Sequence, residues 1–290
     1  FSTEPLNLTS YYMKNNLEDS KKSLLVNGYC VLRDFIPSDL LDDLKVAIKG
    51  QCLYIAKNNN IEISPSYNLD EMYNLICSYD RALGSVIFDN IRNLPEFLSL
   101  VSCASIRSAA SNFLNSNVLF SPPNFNTFRI DKSGEDEHLL TWHQDYTYEF
   151  LSNPSLTFWV PIFEVPEKLG PPIIISDSHG GLKETEFTLQ KNIHGADKVI
   201  PVISQEALNL SDSEVVSDTY SPRDVLVMNT FVVHKSGKNK STSRNRWTAQ
   251  IRIGTFEDEN LASRNWAYET SGKFDFFKKY YPDLTRHANT

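Results

Sequence analysis

From Asn115 to about residue 255 the sequence is cut into short β-forming runs separated by turn residues. The runs "NVLFS", "NTFRID", "SLTFWVPIFEV", "PPIIIS", "DVLVMNTFVVH" and "RWTAQIRIGTF" follow one another there. Each is rich in β-branched and aromatic residues, which fit a pleated, half-buried surface. Several short strands at this spacing point to a sandwich or a barrel.

The first 115 residues have a different character. Residues 17–26 predict a short helix, and "GYCVLRDFI" (28–36) predicts a strand. A longer helix is expected after Pro37, with Leu41, Leu44, Ile48 and Leu53 on its apolar stripe and Ser38 or Asp39 as N-cap. Residues 70–115 predict further helix: Leu75, Ile76, Leu83, Ile87, Ile91, Leu94 and Leu98 recur at helical spacing, and Pro95 divides the stretch. The expected architecture is mainly β with α. It is one domain over 1–290: helical over 1–115, a β barrel over about 116–256 and a tail over 257–290. The helices buttress one outer face of the barrel.

Charge narrows the partners. A net charge of -8 with no long Lys/Arg block argues against nucleic acid, whose phosphates need clustered positive charge. The cysteines Cys30, Cys52, Cys77 and Cys103 form no C-x-x-C pair, so a zinc knuckle or thioredoxin-like site is not suggested. They are expected to be reduced, buried thiols. No stretch reads as long and apolar enough to cross a bilayer, and no signal peptide is visible. The expected location is the cytoplasm. The sequence starts at Phe1 rather than Met, which leaves room for an upstream segment.

Chemistry gathers at "TWHQDY". On a strand, His143 and Asp145 point to one face, two residues apart. A lone H-x-D is a weak signal, since core histidines near acids are common. A third ligand is available in His234, which ends "DVLVMNTFVVH" on the face shared by Leu226, Met228, Thr230 and Val232. Two His and one carboxylate suit Fe(II) and leave positions open for a cosubstrate and O₂. Behind His234 comes "HKSGKNKSTSRNRW". In the next strand Arg246, Thr248, Gln250 and Arg252 share one face, and Trp247, Ala249, Ile251 and Ile253 the other. Turned inward, the first face puts Arg246 near the iron, where a guanidinium can fork onto a carboxylate with help from the Ser236 hydroxyl. The ordinary fate of such a face is exposure to solvent. Arg129, just upstream of the H-x-D, is placed to meet the cosubstrate or an anionic substrate; an exposed or ion-paired arginine is the competing reading. Packing is expected of Gln144 and Tyr146, a structural role of His179, and surface positions of His138, His194 and His287. The basic run Lys235, Lys238, Lys240 and Arg244 reads as a solvated loop beside the pocket.

"GYCVLRDFI", "WHQD", "LTFWVPIFEV", "GPPIIISDSHGG" and "DVLVMNTFVVHKSGKNKS…RNRW" stand in the order seen in the phytanoyl-CoA dioxygenase family of Fe(II)/2-oxoglutarate oxygenases, which the chain resembles over most of 28–253. The resemblance implies a double-stranded β-helix, the jelly-roll barrel shared with cupins. It implies His143, Asp145 and His234 as iron ligands, Arg246 with Ser236 as the 2-oxoglutarate carboxylate site, and Trp159 facing the pocket. The family arginine falls between the positions of Arg244 and Arg246; Arg246 is preferred because it opens a regular strand. Related halogenases replace the ligand carboxylate with a small residue, so Asp145 favours hydroxylation. The expected activity is Fe(II)-, 2-oxoglutarate- and O₂-dependent oxidation of a small metabolite or biosynthetic intermediate. A cupin-like binding protein without oxygenase activity, or a Zn hydrolase, would keep the metal ligands without needing the Arg246 site.

Overall fold

The computed structural model describes residues 16–191, 197–204, 207–208, 215–269 and 274–287. Helix α1 (Leu17–Asn27) leads into strand β1 (Tyr29–Leu32), then α2 (Ser38–Asn58), α3 (Leu69–Tyr79), α4 (Arg81–Ile91), α5 (Pro95–Val101) and α6 (Ala104–Leu114). Strands β2 (Leu119–Phe120), β3 (Thr127–Asp131), β4 (Ser155–Pro161), β9 (Val225–Asn229) and β11 (Arg246–Thr255) join β1 in a large antiparallel sheet. Its order is β1-β9-β4-β11-β2, and β3 also pairs with β11. A smaller sheet holds β10 (His234–Lys235), β5 (Ile173–Ile175) and β8 (Val215–Val216). A third holds β12 (Thr285–His287), β6 (Thr185–Lys191) and β7 (Asp197–Ile203).

The large sheet has two differently used faces. On the helix side, Phe158, Val160, Val227, Ala249 and Ile251 merge with Leu44, Ile48, Met72, Ile87 and Ile106 of the helices in one hydrophobic cluster. The helices therefore buttress one outer face, as expected. On the other side, Trp159, Leu226 and Met228 meet Ile174 of the smaller sheet and Val232 of the turn after β9. Burying this apolar surface stabilises the pairing of layers at roughly 25 cal/mol per Å².

Several local expectations are corrected. The β core is not confined to 116–256, because β1 pairs with β9 and β12 pairs in parallel with β6. Pro37, not Ser38 or Asp39, is the N-cap of α2, with no side-chain cap bond. Leu53 is exposed and Cys52 takes the buried place on that stripe; Leu98 is exposed as well. Pro95 does divide the helical stretch, standing at the first turn of α5 where its missing N–H costs nothing. By length and composition Pro95–Leu114 is apolar enough to span a membrane, contrary to the expectation that no stretch is. It is broken between α5 and α6, however, and Phe97, Leu100, Ile106, Ala109 and Phe113 are packed in the core. The β6–β7 pair was missed by the sequence reading. In the tail, α8 (Glu259–Ser263) is followed by α9 (Asp275–Tyr280), whose Phe277 packs with Tyr146, Phe150 and Phe231. All four cysteines are free and buried.

Candidate metal centre and anion pocket

His143 and Asp145 do not lie on one strand. His143 makes an isolated antiparallel bridge to His234, exchanging two backbone hydrogen bonds of 3.0 Å. Asp145 has helical dihedrals and caps the single turn α7 (Tyr146–Glu149). Nor does the alternation from Leu226 run unbroken to His234: β9 ends at Asn229, and Val232 N–H turns back onto the Asn229 carbonyl. The three side chains still meet. Their ligand atoms lie within 4.8 Å of one another, with His143 Nε2 and His234 Nε2 at 3.5 and 3.8 Å from Asp145 Oδ1.

Each imidazole is held by its other nitrogen. His143 Nδ1 donates to the Thr141 carbonyl at 2.7 Å, and His234 Nδ1 to the Val232 carbonyl at 3.1 Å. A carbonyl only accepts, so the proton sits on Nδ1 and the Nε2 lone pair faces the centre. Asp145 Oδ2 accepts from the Thr157 hydroxyl at 2.6 Å, which leaves Oδ1 toward the histidines. Burial, then the neighbouring His143, pushes the His234 pKa down to about 4, with Asp145 opposing. Burial alone would raise the Asp145 pKa, but Arg252 and the two histidines hold it well below the ordinary carboxylate value. At neutral pH His234 is neutral and Asp145 a carboxylate, and both imidazoles turn Nε2 toward the centre, a donor set that binds a divalent cation. The donor set therefore fits Fe(II).

These three residues open on a cavity between the large and small sheets. Trp159, Ser236, Arg129, Asp131 and Arg246 line it as well. The polar face of β11 is therefore turned inward and buried, against the common fate of such a face. Trp247 fixes this. Its ring packs edge-on against Tyr73, Phe128 and Phe163, and its Nε1 donates to Asp70 at 2.7 Å. Arg246 consequently points into the cavity. Arg244 is instead half-exposed and donates to the Glu164 carbonyl.

The sequence reading missed Asp131. It stands across from Arg246 in strand register and lies between Arg246 and Arg129. Burial would raise its pKa, but the two arginines hold it far below the carboxylate range. Of the five N–H donors of Arg246, four are engaged. Nε and Nη2 donate to Asp131 Oδ2 at 3.2 and 2.8 Å, and Nη1 to the Gly237 and Leu169 carbonyls at 2.9 and 3.3 Å. The free fork expected at Arg246 is thus largely committed to Asp131. Gly237 is held against Gly170, where a Cβ would stand 2.2 Å from the Pro171 carbonyl oxygen; only glycine permits this approach. Ser236 lies at the cavity wall and accepts from Leu140 N–H.

Arg129 is ion-paired, as one reading allowed. Nη2 donates to Asp131 Oδ1 at 2.5 Å and to the His138 carbonyl at 3.2 Å. Arg252, read only as a face mate of Arg246, stands 3.5 Å from Asp145 Oδ1 and pairs with the buried Glu149. An arginine six residues beyond Arg246 has the same parity, which was the one sequence signal for it. The lesser expectations fare unevenly. Gln144 holds the 181–183 loop and the Phe231 carbonyl, and Tyr146 packs on Phe231. His179 meets the Leu25 carbonyl at 3.2 Å. His138 is half-buried rather than on the surface. His194 and the side chain of His287 lie outside the described residues.

A sequence model of the phytanoyl-CoA dioxygenase (PhyH) family matches residues 24–247. None of the curated proteins matches the chain in sequence. Among solved structures, AviO1 from Streptomyces viridochromogenes Tue57 superposes with a TM-score of 0.53 at 13% identity, covering 83% of this chain and 96% of that one. EctD from S. alaskensis, solved with bound Fe, gives 0.52 at 16% identity over 82% and 76%. SnoK, a non-heme alpha-ketoglutarate-dependent carbocyclase from nogalamycin biosynthesis, gives 0.51 at 14% identity over 85% and 90%. At these identities the likeness carries the fold, the double-stranded β-helix expected above.

Proposed function

The chain belongs to the phytanoyl-CoA dioxygenase family, and from that premise we propose that it is an Fe(II)- and 2-oxoglutarate-dependent dioxygenase that hydroxylates a small metabolite or biosynthetic intermediate. The observation that carries this reading is one cavity with two His Nε2 atoms and a carboxylate at one end and Arg246 at the other. EctD has also been solved with 2-oxoglutarate and 5-hydroxyectoine, which supports this cofactor pair for the fold.

In this reading His143, Asp145 and His234 hold the iron. Bound Fe(II) with 2-oxoglutarate and O₂ supplies the oxidation, and the cosubstrate leaves as succinate and CO₂. The protein's own work is orientation. The Thr141 and Val232 carbonyls fix both imidazole tautomers, and Thr157 turns Asp145 Oδ1 toward them. Arg252 offsets the buried charge of Asp145. Arg246, kept rigid by Asp131, and Ser236 take the distal carboxylate of 2-oxoglutarate, and Arg129 completes the positive wall. Trp159 closes the pocket against water from the large sheet. The whole chain acts as a single oxygenase domain on a small molecule. Its four free, buried cysteines support a reducing compartment, the cytoplasm.

The test is anaerobic addition of Fe(II) and 2-oxoglutarate. A weak visible charge-transfer band and, on admitting air, succinate are expected. Full iron occupancy without the band would refute the cosubstrate.

A further inference from the structure

A second and larger cavity shares Arg129, Asp131 and Leu140 with the metal cavity. Four cations, Arg129, Lys132, Lys191 and Lys198, line it with three carboxylates, Asp89, Asp131 and Glu135, a surplus of one positive charge. Its Glu135 is taken by Arg81, and its Asp131 lies between Arg129 and Arg246. Its Lys191 is paired with Asp197. Two cations on its wall, Lys132 and Lys198, have no ion-pair partner among the described residues. Arg129 joins them: its Nε and Nη2 are engaged, while Nη1 has no partner among the described residues. Lys198 stands at the exposed rim. Three donors of one sign around a cavity beside the metal centre form a field that waits for an anion.

We propose that the primary substrate is a small anion, whose phosphate or carboxylate this second cavity holds on Arg129, Lys132 and Lys198 while the rest of the molecule extends past Leu140 into the metal cavity. The inference rests on the oxygenase reading and names its substrate class. The cosubstrate uses the Arg246 end of the metal cavity, so the two anions occupy separate ends of the Arg129–Asp131–Arg246 wall. Such a substrate comes from a reaction that installs or exposes a phosphate or carboxylate and keeps it as a handle during oxidation.

The experiment uses the full chain with Mn(II) at the metal centre and saturating 2-oxoglutarate. Inorganic phosphate is observed by ³¹P NMR and acetate by ¹H NMR. Neutral trimethyl phosphate and acetamide serve as controls. Saturable paramagnetic broadening of phosphate or acetate is expected with the parent, and affinity at least roughly tenfold weaker with the Lys132→Gln/Lys198→Gln double variant, which removes two of the three cations. Broadening of phosphate alone assigns a phosphate ester, and of acetate alone a carboxylate. The proposal is overturned when neither anion is broadened, when the neutral molecules are broadened equally, or when the double variant binds as the parent does. The Fe(II)/2-oxoglutarate charge-transfer band, recorded on both proteins, separates the two failures. Its absence from the parent sinks the oxygenase reading; its presence with no anion effect sinks only this one.

Discussion

The two ends of the metal cavity are built by different parts of the fold. At one end His143, Asp145 and His234 leave the chain where regular structure stops: an isolated bridge, a helical turn and the start of a two-residue strand. Backbone carbonyls aim the two imidazoles. At the other end Asp131 and Arg246 stand opposite each other on paired strands, and β4 pairs along the other edge of β11. Side chains aim each other there, Asp131 holding both Arg129 and Arg246. The metal end draws its precision from irregular backbone, and the anion end from strand register. Loss of a side chain should therefore act locally at the first and through its neighbours at the second.

The largest effect is expected at the metal end. His143→Ala or Asp145→Ala should abolish iron binding while leaving the chain folded, because the bridge between residues 143 and 234 is made by backbone atoms. Metal analysis after gel filtration, with circular dichroism for the fold, checks this; full iron content in either variant would place the metal elsewhere.

Next comes Asp131→Asn, which strands the buried Arg246 guanidinium and the half-buried Arg129. A loss of about 3 kcal/mol of stability is expected, as for breaking a buried pair, read by urea unfolding. The sign with pH follows from the depressed pKa of Asp131. The contribution is fully present above the unfolded carboxylate pKa and is lost as pH falls through that value toward the folded one. The variant should accordingly show a shallower decline of stability below about pH 4. An unchanged acid limb would mean that Asp131 is not the partner of both arginines.

Arg246→Lys keeps the charge but not the guanidinium geometry. It should weaken 2-oxoglutarate by about 2 kcal/mol, roughly 30-fold, whereas Arg244→Lys should bind as the parent does. Titration of the charge-transfer band on the two variants decides between them. Impairment of the Arg244 variant alone would move the anchor and leave the metal end intact.

The smallest effect is expected from Thr157→Val, which removes only the hydroxyl that steadies Asp145. Iron affinity should fall on the order of tenfold, the usual effect of losing a hydrogen-bond partner behind a metal ligand. Competition with a chelator measures it. A loss as complete as that of Asp145→Ala would show that the carboxylate depends on strand β4 as closely as Arg246 depends on Asp131.

Pattern and order were legible in the residues themselves. The 2-residue period of "RWTAQIRI" separated a polar from an apolar face, and the apolar one is indeed packed on the helices. Proline marked the helix break at Pro95, since it lacks the N–H that a helix interior needs. The residue types at 143, 145 and 234 named a metal-binding set before any contact was known. Their route to one point was misread, because a period-2 argument assumes continuous strand and here the strand is interrupted. The preference for Arg246 over Arg244 rested on strand regularity, and in the fold Arg246 alone of the two enters the cavity.

Tertiary structure alone decided which partners the charges take. Asp131 is 115 residues from Arg246, and Thr157 is 12 from Asp145. Nothing local distinguishes a carboxylate that caps a loop from one that neutralises two arginines. Register between distant strands selects it, and register is set by burying whole faces of the sheet rather than by any neighbour in sequence. The sequence determined which side of each strand is apolar and which residue types are available for chemistry. Which of them meet was decided by the packing of helices on one side of the large sheet, which turned the opposite, polar side toward the cavity.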